Sequence, residues 1–212
     1  GGSAVTSTGT YNVSFGFNAG CCLTSGSANI FLGKDAGKQN KNGDDNIFMG
    51  RYTGCATQGG QYNIGIGANI MVKSGTKKCN VAVGRFAGCC LSTGCSNVFL
   101  GYGAGQKTCT GDCNIAIGPG VCLASDNGDG QLAIGCGTGR WIVGDNSFNV
   151  TVATASTFRS TGAHITGVLT ATSFVGDGSA LTNLPASGGA GDKFNTGITS
   201  SIQASIKGYE TD

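Results

Sequence analysis

The sequence predicts an all-β fold: a parallel β-solenoid (β-roll) of eight 17-residue coils followed by a β-rich stem, joined as a homotrimer. Three observations carry this expectation. A short pattern, Asn-Φ-x-Φ-Gly with Φ apolar, recurs every 17 residues without insertion. Its two Φ positions alternate with a variable one, which is the period of a strand. Glycine is abundant, 40 of 212 residues, and falls at fixed offsets within the repeat, while proline occurs only twice. That balance excludes collagen, which needs a three-residue glycine period and frequent proline.

Residues 1–11 form an N-terminal lead-in, and the solenoid spans 12–147. Its coils open at Asn12, Asn29, Asn46, Asn63, Asn80, Asn97 and Asn114, and the last at Gln131. Numbering each coil from that residue, positions 2 and 4 are apolar throughout and position 5 is always Gly. Positions 9 and 15 are Gly in six coils each, and position 8 is small or apolar. Glycines at fixed offsets mark corners that need a positive φ or a close backbone approach. Seventeen residues suit one turn of a solenoid, whereas helical repeats need about 33 or more. Coils stacked at about 4.8 Å would build a rod of roughly 38 Å. The asparagines either form a ladder of side-chain amides from coil to coil or serve only as turn formers. Positions 2, 4 and 8 are expected inside. Position 3, with Phe31, Phe48 and Phe99, is then expected on the outer face, where an apolar stripe calls for partner chains. A parallel homotrimer is the simplest closed arrangement.

Beyond the repeats, residues 148–185 read as a β-rich trimeric stem. The runs Asn149-Val-Thr-Val-Ala-Thr-Ala-Ser-Thr-Phe158 and Gly167-Val-Leu-Thr-Ala-Thr-Ser-Phe174 are rich in Thr and β-branched residues, as strands are. The stem closes with Gly176-Asp-Gly-Ser-Ala-Leu-Thr-Asn-Leu-Pro185. Residues 186–212 read as a Gly-rich linker and the short helical or strand start of a further domain. Ile198, Ile202 and Ile206 recur every four residues there, as in a small helical bundle.

The run Thr170-Ala-Thr-Ser-Phe-Val-Gly-Asp-Gly-Ser-Ala-Leu-Thr-Asn-Leu-Pro185 resembles a linker motif of tail fibres and related virion proteins of tailed bacteriophages, especially those of marine cyanobacteria. The Asn-Φ-x-Φ-Gly-x-x-Ala-Gly repeats are similar to repeats in such fibres and, more loosely, to the heads of bacterial trimeric autotransporter adhesins. The resemblance implies an elongated homotrimer in the virion or outside the cell, joined to other virion proteins and contacting a host surface glycan or receptor. A bacterial trimeric surface adhesin is the alternative it implies. The cysteine content departs from that family.

The remaining residues narrow the function classes. Net charge is +2 and spread along the chain, so no nucleic-acid footprint stands out. No run of about 18 apolar residues suggests a membrane span. The lone His164 has no catalytic partner near it in sequence, so no enzyme, cofactor or metal is expected. An acyltransferase of the left-handed β-helix type would need a His among its coils, and an ice-binding solenoid would need a Thr-x-Thr on every coil rather than at Thr108–Thr110 alone.

Eleven cysteines are present. Cys95 at position 16 stacks within one coil of Cys79 and Cys113 at position 17, a spacing a disulfide can bridge. Cys21–Cys22 and Cys89–Cys90 are doublets that would be strained internally and suit bonds between chains. Buried free thiols acting as small apolar residues are the other reading. Residues 125–131 read as a polar corner rather than a calcium loop, since no terminal Glu follows. Positions 6 and 7 place Phe17, Arg51, Tyr52, Arg85, Phe86 and Tyr102, with Lys34, along one lateral edge. Such an edge suits a glycan, or consists of ordinary corner residues with partly buried rings.

Overall fold

The computed structural model describes residues 8–147 and 149–152; the second Thr-rich run, the Gly-Asp-Gly-Ser stretch, the linker and the isoleucine repeat lie outside these residues. Ten strands form one sheet in chain order. They are β1 (Val13–Phe15), β2 (Ile30–Leu32), β3 (Ile47–Met49), β4 (Ile64–Ile66), β5 (Val81–Val83), β6 (Val98–Leu100), β7 (Ile115–Ile117), β8 (Leu132–Cys136), β9 (Gly139–Gly144) and β10 (Val150–Val152). The first eight run parallel with a constant 17-residue register: Val13 pairs Ile30, Ile30 pairs Ile47, and so on to Ile115 with Leu132. Among the described residues no helix is long and apolar enough to cross a membrane.

The eighth repeat departs from the other seven. After β8 the chain reverses and pairs back on itself as β9, antiparallel, and β10 then adds to β9. Seven full turns are therefore closed at the C-terminal end by a hairpin. Thr138, expected at an interior position, lies exposed in that reversal. At the other end Thr8–Tyr11 already follow the coil register: the amide of Ala28 donates to the Thr10 carbonyl as that of Asp45 does to Ser27.

The faces of the strands are the reverse of the sequence expectation. Position 3 is the interior: Phe31, Phe48, Ala82, Phe99 and Ala116 are completely buried. Positions 2 and 4 are half-buried or exposed, with Met49, Ile66, Val83 and Ile115 among the exposed apolar residues. The cause lies at position 1. Its asparagine turns inward, and side chains two residues apart share a strand face, so position 3 turns inward with it. Positions 8 and 12 complete the core through Ala36, Ile70, Ala87, Ala104 and Val121, and through Leu23 and Leu91.

The asparagines form a continuous buried ladder. Asn46 Nδ2 donates to Asn29 Oδ1 at 3.0 Å and to the Gly60 carbonyl at 2.7 Å. Asn63, Asn80 and Asn97 repeat the side-chain bond to the preceding Asn at 2.9–3.0 Å. Asn29 bonds to Asn12 in the same way. Each Oδ1 also accepts the backbone N–H of the next coil's first residue, as Asn97 Oδ1 does from Asn114 and Asn114 Oδ1 from Gln131. Buried amides are stable only when satisfied in this manner.

This core requires glycine at position 5 of each turn, and at position 9 beside the rings of Phe31, Phe48 and Phe99. At position 5 the backbone φ lies at +117 to +133 from Gly16 to Gly118, outside the range of an L side chain. At position 9 the rings of position 3 fill the space: a Cβ on Gly37 would meet Phe31 at 2.5 Å and one on Gly88 would meet Phe99 at 2.6 Å. Phe31 and Phe48 stack at 5.8 Å between centroids. In the fourth coil the volumes trade places. Gly65 stands at position 3, and Ile70 with Met71 fill the interior from positions 8 and 9.

Candidate functional site

Two surfaces stand out once the core is accounted for. The first is the outer face of the sheet. Positions 2 and 4 build two adjacent aliphatic columns, one from Val13 to Leu132 and one from Phe15 to Ile134. The terminal hairpin extends both, because Ile142 pairs with Ile134 and Val152 with Ile142, while Val150 follows Gly144. Phe15 is 78% exposed and Val150 61%. Summed over the two columns and the hairpin, this face presents on the order of 1,000 Å² of apolar surface, well above the few hundred Å² that monomers tolerate. The face carries no charged residue from β1 to β8.

The second surface is the lateral edge at positions 6 and 7. Its rungs are pinned by backbone hydrogen bonds in which each position-7 amide donates to the position-6 carbonyl of the coil before. Tyr52 bonds to Lys34, Asn69 to Arg51, Phe86 to Ala68 and Gly103 to Arg85, all at 2.8–3.0 Å. Position 7 is left-handed throughout, including Tyr52 at φ +60 and Phe86 at φ +64. This bulky-residue strain is carried by the stacked frame. The side chains form two clusters. In the first, Lys34 Nζ lies 5.9 Å from the ring centroids of both Phe17 and Tyr52, and the Arg51 guanidinium 5.5 Å from Tyr52. In the second, Arg85 sits 4.3 Å above Phe86, which meets Tyr102 edge-on at 6.0 Å. These are cation–π distances. Ala68 and Asn69 of the fourth coil separate the clusters. Asp35 is the one acid on this edge, and it is already engaged by Asn18 Nδ2 at 3.2 Å and Lys38 Nζ at 3.3 Å. Burial pushes its carboxyl up, but those two hydrogen bonds outweigh it and hold the pKa below the ordinary value. Among the described residues no ion pair engages Lys34, Arg51 or Arg85.

Within the chain no two cysteines are bonded. All eleven are free thiols, including Cys79, Cys95 and Cys113. Stacking brings the backbones of Cys95 and Cys113 together, the Cys113 amide donating to the Cys95 carbonyl at 2.9 Å, but Cys95 Sγ turns to the Thr93 carbonyl. The expected disulfide among these three is thus corrected by side-chain direction. Within the doublets Cys21 and Cys22 stand 3.6 Å apart at sulfur and Cys89 and Cys90 4.0 Å, well beyond a bond. Burial, then the neighbouring thiol, raises the pKa of Cys21, and the same causes push Cys89 up to about 11. These thiols stay protonated at neutral pH and are poor nucleophiles.

The corner at Ser125–Gln131 is closed by Gln131, whose Nε2 donates to the Ser125 and Gly128 carbonyls at 2.9 Å.

Sequence reasoning missed two features. The aliphatic columns at positions 2 and 4 have the composition of a core and face outward, and the signal for that phase is the inward Asn at position 1. Lys77 replaces the position-15 glycine and is fully buried, its Nζ donating to the Lys73 carbonyl and to Thr57 Oγ1 at 3.4 Å. Its departure from the glycine column was the available signal.

Fold and surfaces together define a parallel β-solenoid repeat protein with an unpartnered apolar strand face. No protein-family model, no curated protein and no solved structure matches the chain.

Proposed function

We propose that this chain is a structural and adhesive fibre without catalysis, a homotrimeric virion appendage such as a tail fibre that attaches the particle to its host's surface. The outward apolar face carries this reading. A rod that hides small, aromatic and amide side chains inside each coil and leaves its aliphatic columns outside is half of an interface. Its area, on the order of 1,000 Å², is comparable to the roughly 800 Å² per partner of a standard association. Three copies related by a parallel three-fold axis close that face without leaving an open end. The ladder and the glycine corners serve stiffness and extension, and the cationic–aromatic edge remains outside such an assembly, available to a host glycan. The resemblance of Thr170–Pro185 to virion-fibre linkers points the same way. A bacterial trimeric surface adhesin is the second reading, favoured by the likeness of the repeats to adhesin heads.

Antibodies raised against residues 8–147 separate the two. Labelling of an appendage on virus particles, and blocking of their adsorption, is the expected outcome. Labelling of bacterial cell surfaces in the absence of any particle would replace the fibre with the adhesin, and labelling of neither would remove both.

A further inference from the structure

We propose that the notch at the fourth coil of the lateral edge is a binding site for an acidic polysaccharide, with one carboxylate-bearing sugar seated between Arg51 and Arg85. This rests on the attachment-fibre reading and names the class of its ligand. Position 6 carries Arg in the third and fifth coils and Ala68 in the fourth; position 7 carries Tyr52, Asn69 and Phe86 in the same order. The backbone bonds Asn69 to Arg51 at 2.9 Å and Phe86 to Ala68 at 3.0 Å fix these three rungs in sequence. The two arginines therefore flank a gap of two coil spacings, roughly 10 Å. That span accepts a sugar ring with its acidic substituent.

Each wall presents a guanidinium and a ring already associated with it, at 5.5 Å for Arg51–Tyr52 and 4.3 Å for Arg85–Phe86. The half-exposed rings offer apolar faces to a sugar, and the exposed guanidiniums offer paired donors to a carboxylate. Asn69 at the floor supplies a donor and an acceptor for hydroxyls. No acid neutralises this stretch, since Asp35 is committed to Lys38 and Asn18. Lys34 and Tyr102, both exposed, continue the track on either side. A linear polymer of acidic sugars matches such a column better than a compact ligand. A nucleic acid is disfavoured, because the net charge is only +2 and the aligned cations occupy one narrow edge.

The full chain is tested by surface plasmon resonance against immobilised alginate, neutral dextran and duplex DNA at low and physiological salt. The repeat itself supplies conservative variants, because Ala68 and Asn69 show which residues the same backbone accepts, Asn69 at φ +58. Retention on alginate, none on dextran and at least tenfold weaker retention on DNA at physiological salt is expected. Arg51→Ala with Arg85→Ala should lower alginate affinity tenfold or more and flatten its salt dependence. Tyr52→Asn with Phe86→Asn should lower it several-fold with the salt slope unchanged. No retention on alginate, equal retention on dextran or DNA, or unchanged affinity in the arginine pair overturns the site. Sedimentation of the same samples gives the chain number independently. Three chains that ignore alginate overturn this site alone, whereas a single chain overturns the fibre assembly whatever alginate does.

Discussion

From Asn29 to Asn97 the ladder asparagines use all of their hydrogen-bonding capacity inside the coil stack. Asn80 Nδ2 donates to Asn63 Oδ1 at 3.0 Å and to the Gly94 carbonyl at 2.8 Å. Asn80→Asp would aim a carboxylate at two acceptor oxygens away from water, and is expected to cost about 3 kcal/mol or more. Thermal or denaturant unfolding measures it. Lys77 is the opposite case, a buried ammonium with few acceptors. Desolvation lowers its pKa from 10.5 to about 8, with the nearby Cys55 opposing. The folded state thus favours the neutral amine. Below about pH 8 both states are protonated and the fold bears the full cost; as pH rises from 8 to 10.5 the folded amine is neutral while the unfolded one is still charged, so this contribution to stability increases. The interval corresponds to about 3 kcal/mol. Lys77→Met should raise stability at pH 7 and abolish the gain over that window. The difference between the two proteins is the quantity to measure, because the raised thiols of Cys55 and Cys89 titrate in the opposite sense at the upper end.

At the scale of a coil, a short strand, two glycine corners and a polar return enclose one large side chain or its equivalent. Phe48 is fully buried, while Met49, its neighbour in β3, is 37% exposed. Phe48→Ala should therefore cost about 3–5 kcal/mol through the cavity it leaves. Met49→Ala should change the unfolding of a single chain by under about 1 kcal/mol. A larger loss for Met49→Ala than for Phe48→Ala would mean that the strand faces are assigned the wrong way round. The register of these coils was legible in the sequence, because Asn, Φ and Gly keep their 17-residue spacing from Asn12 to Gln131. Their phase was not. Ile and Val at positions 2 and 4 have the composition of a core, and only the shared direction of positions 1 and 3, or the glycines that make room for Phe31 and Phe99, reveals that the aliphatics face outward. The eighth repeat misled for a related reason. Gly135 and Gly139 sit at the repeat offsets, but in the fold they frame a reversal, and Ile142 pairs back across the sheet with Ile134. The edge columns could be read directly, since they depend on spacing alone. The engagement of Asp35 and the free state of the thiols depend on side-chain direction, which spacing does not encode.

For the whole molecule, the decisive feature is what covers the outer aliphatic columns. They run through the eight parallel strands and on into the terminal hairpin, and they are uncharged from β1 to β8 and rich in β-branched residues. Two lysines placed at their centre, Ile66→Lys with Val83→Lys, should leave the coil interior intact but put charge into the contact between chains. Such a variant is expected to keep its β-sheet circular dichroism while separating into single chains. The most direct measurement is the mass of the native species under reductant, by sedimentation equilibrium, for the unaltered protein. Three chains per particle are predicted; a stable single chain at micromolar concentration would contradict the assignment of this face to self-association.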